Sequence, residues 1–199
     1  MEAAGLLAGS GWASGINLYL VTLLLGAAGR LGWADIPDVL TRLDVMIVAG
    51  VLFVVEFVAD KIPFLDSVWD AIHTVVRPLG AAAIGAVVAG DSASIGAAVG
   101  ATVAGLLALD AHAAKASTRV VVNTSPEPVS NIGLSLAEDV GVAGLVTLAV
   151  TYPIPTIIVV AILVVAATAL TIWIWGTARR AWKKLGAWLE DKSWYPSAG

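Results

Sequence analysis

Cysteine is absent from this 199-residue chain, which removes disulfides, thiolate catalysis and cysteine-based metal sites together. Charge is scarce as well. Asp, Glu, Lys and Arg make up 13% of the residues, against about 25% in a soluble domain. Hydrophobic residues reach 59% and the mean hydropathy is +0.90. So little polar surface cannot face water on every side, and lipid must be the solvent for much of the chain. The net charge is −4, and the basic residues are dispersed or confined to the C-terminal tail, which excludes a nucleic-acid-binding patch. Only two histidines occur, and the Walker loop, HExxH and GxSxG patterns are missing. Asp110-Ala-His112 is too short to stand as a metal motif. No catalytic residue is assigned, no cofactor is expected, and the reading leans away from an enzyme.

No Lys or Arg precedes Arg30, so the basic segment of a secretory signal is absent. Uncharged stretches fall at 5–29, 45–55, 78–90, 92–109 and 140–178. The first is long enough to cross a core of roughly 30 Å and is read as a retained first helix. The last is too long for one helix, and Tyr152-Pro153-Ile154-Pro155 divides it. One helix ends before Tyr152 and another runs from about Thr156 to Gly176. The 45–55 stretch spans only if it continues through Glu56 to Asp60, and 78–90 needs the residues from Val68 in front of it. Short apolar segments with ionisable residues fit broken helices around a solute site. They equally fit helices shielded inside a bundle, with their charges at wet ends. The stretch 80–105 is nearly all small or β-branched, with Gly96, Gly100 and Gly105 spaced for close backbone approach.

The expected fold is all-α, a polytopic bundle of about six transmembrane helices over residues 1–176. Residues 177–199 form a basic tail with interleaved tryptophans (Arg179, Arg180, Trp182, Lys183, Lys184, Trp188) that suits the headgroup region. The positive-inside rule then puts the C-terminus in the cytoplasm, and an even helix count puts the N-terminus there too.

Two stretches read alike. Leu43-Asp44-Val45 leads into an apolar helix ending at Ile62-Pro63, and Glu138-Asp139-Val140 leads into one ending at Ile154-Pro155. Each follows a proline-containing loop and, before that, a Gly/Ala-rich helix closing on a cation. Matching repeat one (about 5–90) to repeat two (about 94–176) gives three helices against three. An odd number inverts the second half, which is the 3+3 plan of many secondary transporters.

The polar residues fall into patterns. Lys115, Arg119 and Asn123 share one helix face, with Asp110 and His112 about a turn earlier. Two cations in line cradle an anionic group, or else mark the aqueous end of a helix. The loop from Asn123 to Asn131 carries Ser125, Glu127 and two prolines, and Glu138-Asp139 follows. Glu56 and Asp60 are four residues apart. Asp66, Asp70, His73 and Arg77 make a stripe that can face inward while Trp69 and Ile72 face out. An ionisable group at membrane depth is costly, so proton relay, cation site and static ion pair are the readings to weigh.

Three motifs carry a resemblance to a known family: Gly11-Trp-Ala-Ser-Gly15-Ile-Asn17-Leu-Tyr19-Leu, Glu56-Phe-Val-Ala-Asp60-Lys61-Ile-Pro63 with Trp69-Asp70-Ala-Ile-His73, and Asn123-Thr-Ser-Pro-Glu-Pro-Val-Ser-Asn131 with Ser135-Leu-Ala-Glu138-Asp139. The chain resembles the bacterial integral membrane domain-of-unknown-function family 4126 over about residues 5–176. The resemblance implies that these polar motifs belong to the family pattern and places the chain in the bacterial cytoplasmic (inner) membrane. It implies no activity.

The favoured function is a small secondary transporter or channel-like carrier of a small charged solute or ion, proton- or cation-coupled, with its site between the repeats. Its binding residues are Glu56, Asp60, Asp70, His73, Arg77, Asp110, Lys115, Arg119, Asn123, Ser125, Glu127, Asn131, Glu138 and Asp139. A lipid-binding or assembly protein without transport is the alternative. An enzyme acting on a lipid phosphate, through Asp110, His112 and Glu127, comes third. The bilayer and a charged solute are the expected partners, and the Gly/Ala-rich faces permit homo-oligomers.

Overall fold

The computed structural model describes residues 2–62, 64–90, 94–124 and 128–191. They form α1 (Glu2–Arg30), the short α2 (Asp38–Thr41), α3 (Leu43–Ala59), α4 (Leu65–Ala89), α5 (Ile95–Val122), α6 (Pro128–Thr151) and α7 (Pro153–Asp191). No strand occurs among the described residues. Five helices, α1 and α4 to α7, are long and apolar enough to cross a membrane. The expected sixth, α3, has 17 residues and is about 26 Å long.

Apolar side chains cover the outside of α3 and α7, among them Val51, Val54, Val58, Ile158, Ile162 and Val165. That inverts the usual polar exterior and identifies a membrane protein whose solvent is hydrocarbon. Inside, the helices meet through small residues, because lipid offers no hydrophobic drive for their association. A Cβ at Gly85 would overlap the Gly100 carbonyl, and one at Gly100 would overlap the Gly85 carbonyl and the Ala89 methyl. Gly11 and Gly15 bring α1 equally close to Ala104 and Ala108 of α5. The small-residue stretch around residues 80–105 is thus the seam between α4 and α5.

The first helix does not cross. Asn17 has extended backbone angles (φ −149°, ψ 95°) in the middle of α1 and breaks it into residues 2–16 and 18–30. Glu2, Ala3 and Leu6 from its start line one cavity of about 560 Å³ together with Trp33, Ala34 and Asp35 from beyond its end. A straight 29-residue helix would hold those ends about 43 Å apart. The two halves therefore enter and leave at the same end of the bundle, meeting near its centre. Asn17 makes the turn for a local reason. Its side-chain oxygen accepts the Leu20 N–H at 2.9 Å, capping the second half-helix.

This reversal corrects the reading of residues 5–29 as a simple span. It also corrects the shared placement of the termini. Gly5 packs on Pro153, where α7 begins, and α7 then runs 39 residues (about 58 Å) to the far end. The start of α1 and the end of α7 lie at opposite ends of the bundle. The 3+3 match fails at the same point, because α1 returns half-way while α5 crosses completely. Its register also sets Asp44, exposed in the first turn of α3, against Asp139, midway along α6. The hairpins α3–α4 and α6–α7 do run in opposite senses. The division at Tyr152 lies where the prolines place it, but α7 continues through Gly176, so the basic segment 177–191 extends that helix.

Candidate functional site

The break in α1 leaves backbone groups unpaired at the centre of the bundle, and cations from other helices take them. Arg77 Nη1 approaches the Gly15 carbonyl at 3.4 Å, and Lys115 Nζ donates to the Ile16 carbonyl at 3.2 Å. These carbonyls form the negative end of the first half-helix, where positive charge is favoured. At the positive end of the second half, Asn17 Nδ2 donates to Asp139 Oδ1 at 3.0 Å. Asn17, Arg77 and Asp139 each sit near the middle of their helices, so this junction lies at mid-height of the bundle.

From there a buried column of ion pairs runs towards the end that holds the loop before α4. Arg77, wholly buried, binds Glu56 at 2.7 Å and Asp70 at 2.9 Å. Lys115 binds Asp60 at 2.6 Å, with Glu138 at 3.5 Å and Glu56 at 3.8 Å. Arg119 binds Glu138 at 2.7 Å and approaches Asp60 and Asp66 at 3.7 and 3.8 Å. Asn123 Nδ2 closes the column on both Asp66 oxygens at 3.1 Å, and Asn131 Nδ2 donates to Asn123 Oδ1 at 3.1 Å. A buried ion pair roughly breaks even against an apolar substitute, so this much charge at depth is poorly explained by stability alone.

Both histidines border the column, and their tautomers follow from their partners. A guanidinium only donates, so His112 Nδ1, 2.7 Å from Arg77 Nη1, is the bare acceptor. Its Nε2–H then donates to Thr74 Oγ1 at 3.0 Å, while that hydroxyl donates to the Asp70 carbonyl. His73 Nδ1–H donates to the Trp69 carbonyl at 2.8 Å, and Nε2 shares a hydrogen bond of 2.9 Å with the Tyr19 hydroxyl. The His112 ring is neutral in this arrangement.

Of the residues singled out from the sequence, Glu56, Asp60, Asp70, His73, Arg77, Lys115, Arg119, Asn123, Asn131, Glu138 and Asp139 come together here. Asp110 does not: it accepts from Trp12 Nε1 at 3.3 Å and Thr168 Oγ1 at 2.6 Å, tying α5 to α1 and α7. It is thereby turned away from His112, so the two do not form an acid–base pair. Ser125 and Glu127 lie outside the described residues. Asn17, Tyr19, Asp66, Thr74 and His112 join the column without having been chosen as binding residues. Asn17 carried a signal, as the only amide in the uncharged run 5–29 and a residue type that favours helix caps. Among the described residues, no three His, Asp or Glu side chains gather as a metal site.

Residues 4–173 match the family described as "Domain of unknown function (DUF4126)". The chain belongs to that family. No curated protein and no solved structure matches it. Family membership therefore brings no activity, and any function must be argued from the column.

Proposed function

We propose that this DUF4126 protein is a small secondary transporter or channel-like carrier of a small charged solute or ion, coupled to protons or another cation. What carries the proposal is the broken α1, whose two half-helix ends meet a column of buried charges at membrane depth. Discontinuous helices with their termini aimed at the bilayer midplane are how transporters bind ions without solvent. The column supplies a polar path from one end of the bundle to that midplane. It is held between the oppositely running hairpins α3–α4 and α6–α7, which are the natural moving parts. Glu56, Asp60, Glu138 and Asp139 are the groups for a cation, and Lys115, Arg119 and Asn123 those for an anion. The chain resides in the bacterial cytoplasmic membrane, with the basic end of α7 in the cytoplasm.

The test is flux in proteoliposomes under imposed gradients of Na⁺, K⁺, chloride and phosphate in turn, read with pH- and potential-sensitive dyes. Lys115→Ala and Glu138→Gln are expected to reduce flux to the protein-free level while the protein still inserts. Flux that persists unchanged in both variants ends the proposal.

One observation favours a lipid-binding role instead. A groove of about 550 Å³, lined by Trp12, Ile16, Gly141, Gly144, Leu145 and Leu163 among others, opens between α1, α6 and α7 and reaches Glu138. It is large enough for an acyl chain. Bound phospholipid in native mass spectra, without flux in any gradient, supports that role.

A further inference from the structure

The column is not neutral. Six carboxyls belong to it (Glu56, Asp60, Asp66, Asp70, Glu138 and Asp139), against four cations (Lys61, Arg77, Lys115 and Arg119). His112 cannot make up the difference, because Arg77 holds its Nδ1 bare, and a protonated His73 would supply one charge only. At least one negative charge is left over. Hydrocarbon on every side makes uncompensated charge at this depth costly. Several of the acids also keep one oxygen with no hydrogen-bond partner among the described residues although it is sealed from solvent: Glu56 Oε2, Asp60 Oδ1, Asp70 Oδ2 and Asp139 Oδ2. An ionised carboxylate leaves such an oxygen an unsatisfied acceptor, which burial makes costly.

These acids are not alike. Glu56, Asp60, Asp66, Asp70 and Glu138 each have an Arg or Lys within 4 Å. Among the described residues none lies within that distance of Asp139. Among the described residues, the one side chain that donates to it is the neutral amide of Asn17. Lys61, one of the two lysines around it, spends its ammonium on the Phe57 carbonyl at 2.8 Å and on Ser135 Oγ at 3.3 Å. The charged groups around Asp139 are Asp60 and Lys61 at the end of α3 and Lys115 on α5, with Asn17 facing it from α1.

We propose that Asp139 is an exchangeable proton site whose occupancy is transmitted to the break in α1. Protonation adds one H⁺ from water, forms an O–H bond at Oδ2, and removes one surplus negative charge. Deprotonation returns that H⁺ to water and leaves a carboxylate at the positive end of the second half-helix. Asn17 senses the difference, because the side chain that donates to Asp139 also caps the Leu20 N–H. An ionised Asp139 pulls on that amide more strongly than a neutral one. The proton is thereby linked to the start of the second half-helix, across the break from the carbonyls of the first that Arg77 and Lys115 hold. This deepens the carrier reading and rests on it only for the coupling to flux. The proton site itself does not depend on transport.

The experiment is infrared spectroscopy of the purified full-length protein in lipid nanodiscs, following the carbonyl stretch of protonated carboxylic acids against pH. The expected result is an acid band at neutral pH that bleaches on alkaline titration and loses the intensity of one carboxyl in Asp139→Asn. That variant is isosteric and retains an oxygen for Asn17 to donate to. A band unchanged in Asp139→Asn overturns the assignment. So does the absence of any acid band, with or without a spectral response to added Na⁺. Flux measured in parallel separates the two readings. An Asp139-dependent band without flux in any gradient leaves the proton site standing and ends the carrier. Flux with the same pH dependence in wild type and Asp139→Asn leaves the carrier standing and overturns the coupling of the Asp139 proton to it.

Discussion

Arg77 offers the sharpest energetic test of the column. Replacing it with Met keeps the approximate volume and deletes the charge, in a side chain with no exposure at all. Asp70 then loses the only cation within ion-pair distance among the described residues, while Glu56 falls back on Lys115 at 3.8 Å. Stranding one partner of a buried pair costs about 3–5 kcal/mol. At 1.4 kcal/mol per tenfold, this is roughly two to three and a half powers of ten in the unfolding equilibrium. The loss of the His112 and Gly15 contacts falls within the same change and is not added to it. The measurement is reversible unfolding in mixed micelles with increasing SDS, followed by tryptophan fluorescence. The destabilisation is expected to shrink at acid pH, where the stranded carboxylates take up protons. Adding Glu56→Gln and Asp70→Asn to Arg77→Met should restore most of the loss, since a neutral set leaves no uncompensated charge. Two results would refute this reasoning: a cost below about 1 kcal/mol for Arg77→Met, or costs for the single changes that simply add.

Two further outcomes test the fold. Because α1 turns back at Asn17, Glu2→Cys and Gly32→Cys in this cysteine-free chain should react with an impermeant maleimide from the same membrane face, and Gly186→Cys from the other. Labelling of residues 2 and 32 from opposite faces would mean that α1 crosses. The glycines should divide by what their Cβ would meet. Gly15→Ala collides with the Ala108 carbonyl and the Ala111 methyl and should lower the unfolding midpoint clearly, whereas Gly141→Ala enters open space and should leave it in place.

Composition alone settled the solvent. With 13% charge and long uncharged runs, a chain of this length has no way to fold in water and must satisfy its backbone within helices. The glycine spacing around residues 80–105 announced a close seam, and the prolines at 153 and 155 placed the turn between α6 and α7. Local steric and hydrogen-bonding rules suffice for such features, and those rules are written in adjacent residues. The tertiary structure decided what distant residues do to one another. Hydropathy cannot distinguish a crossing helix from one that returns, because both are equally apolar, and only the break at Asn17 separates them. Nor does spacing along one helix reveal that Arg77 reaches Glu56, 21 positions away, or that Asn17 meets Asp139 across 122. Asp110 shows the converse: it lies about a turn before Lys115 in sequence and yet is claimed by Trp12 and Thr168. Which charges pair, and which acid is left without a cation, depends on how the helices stack, and no local rule encodes that.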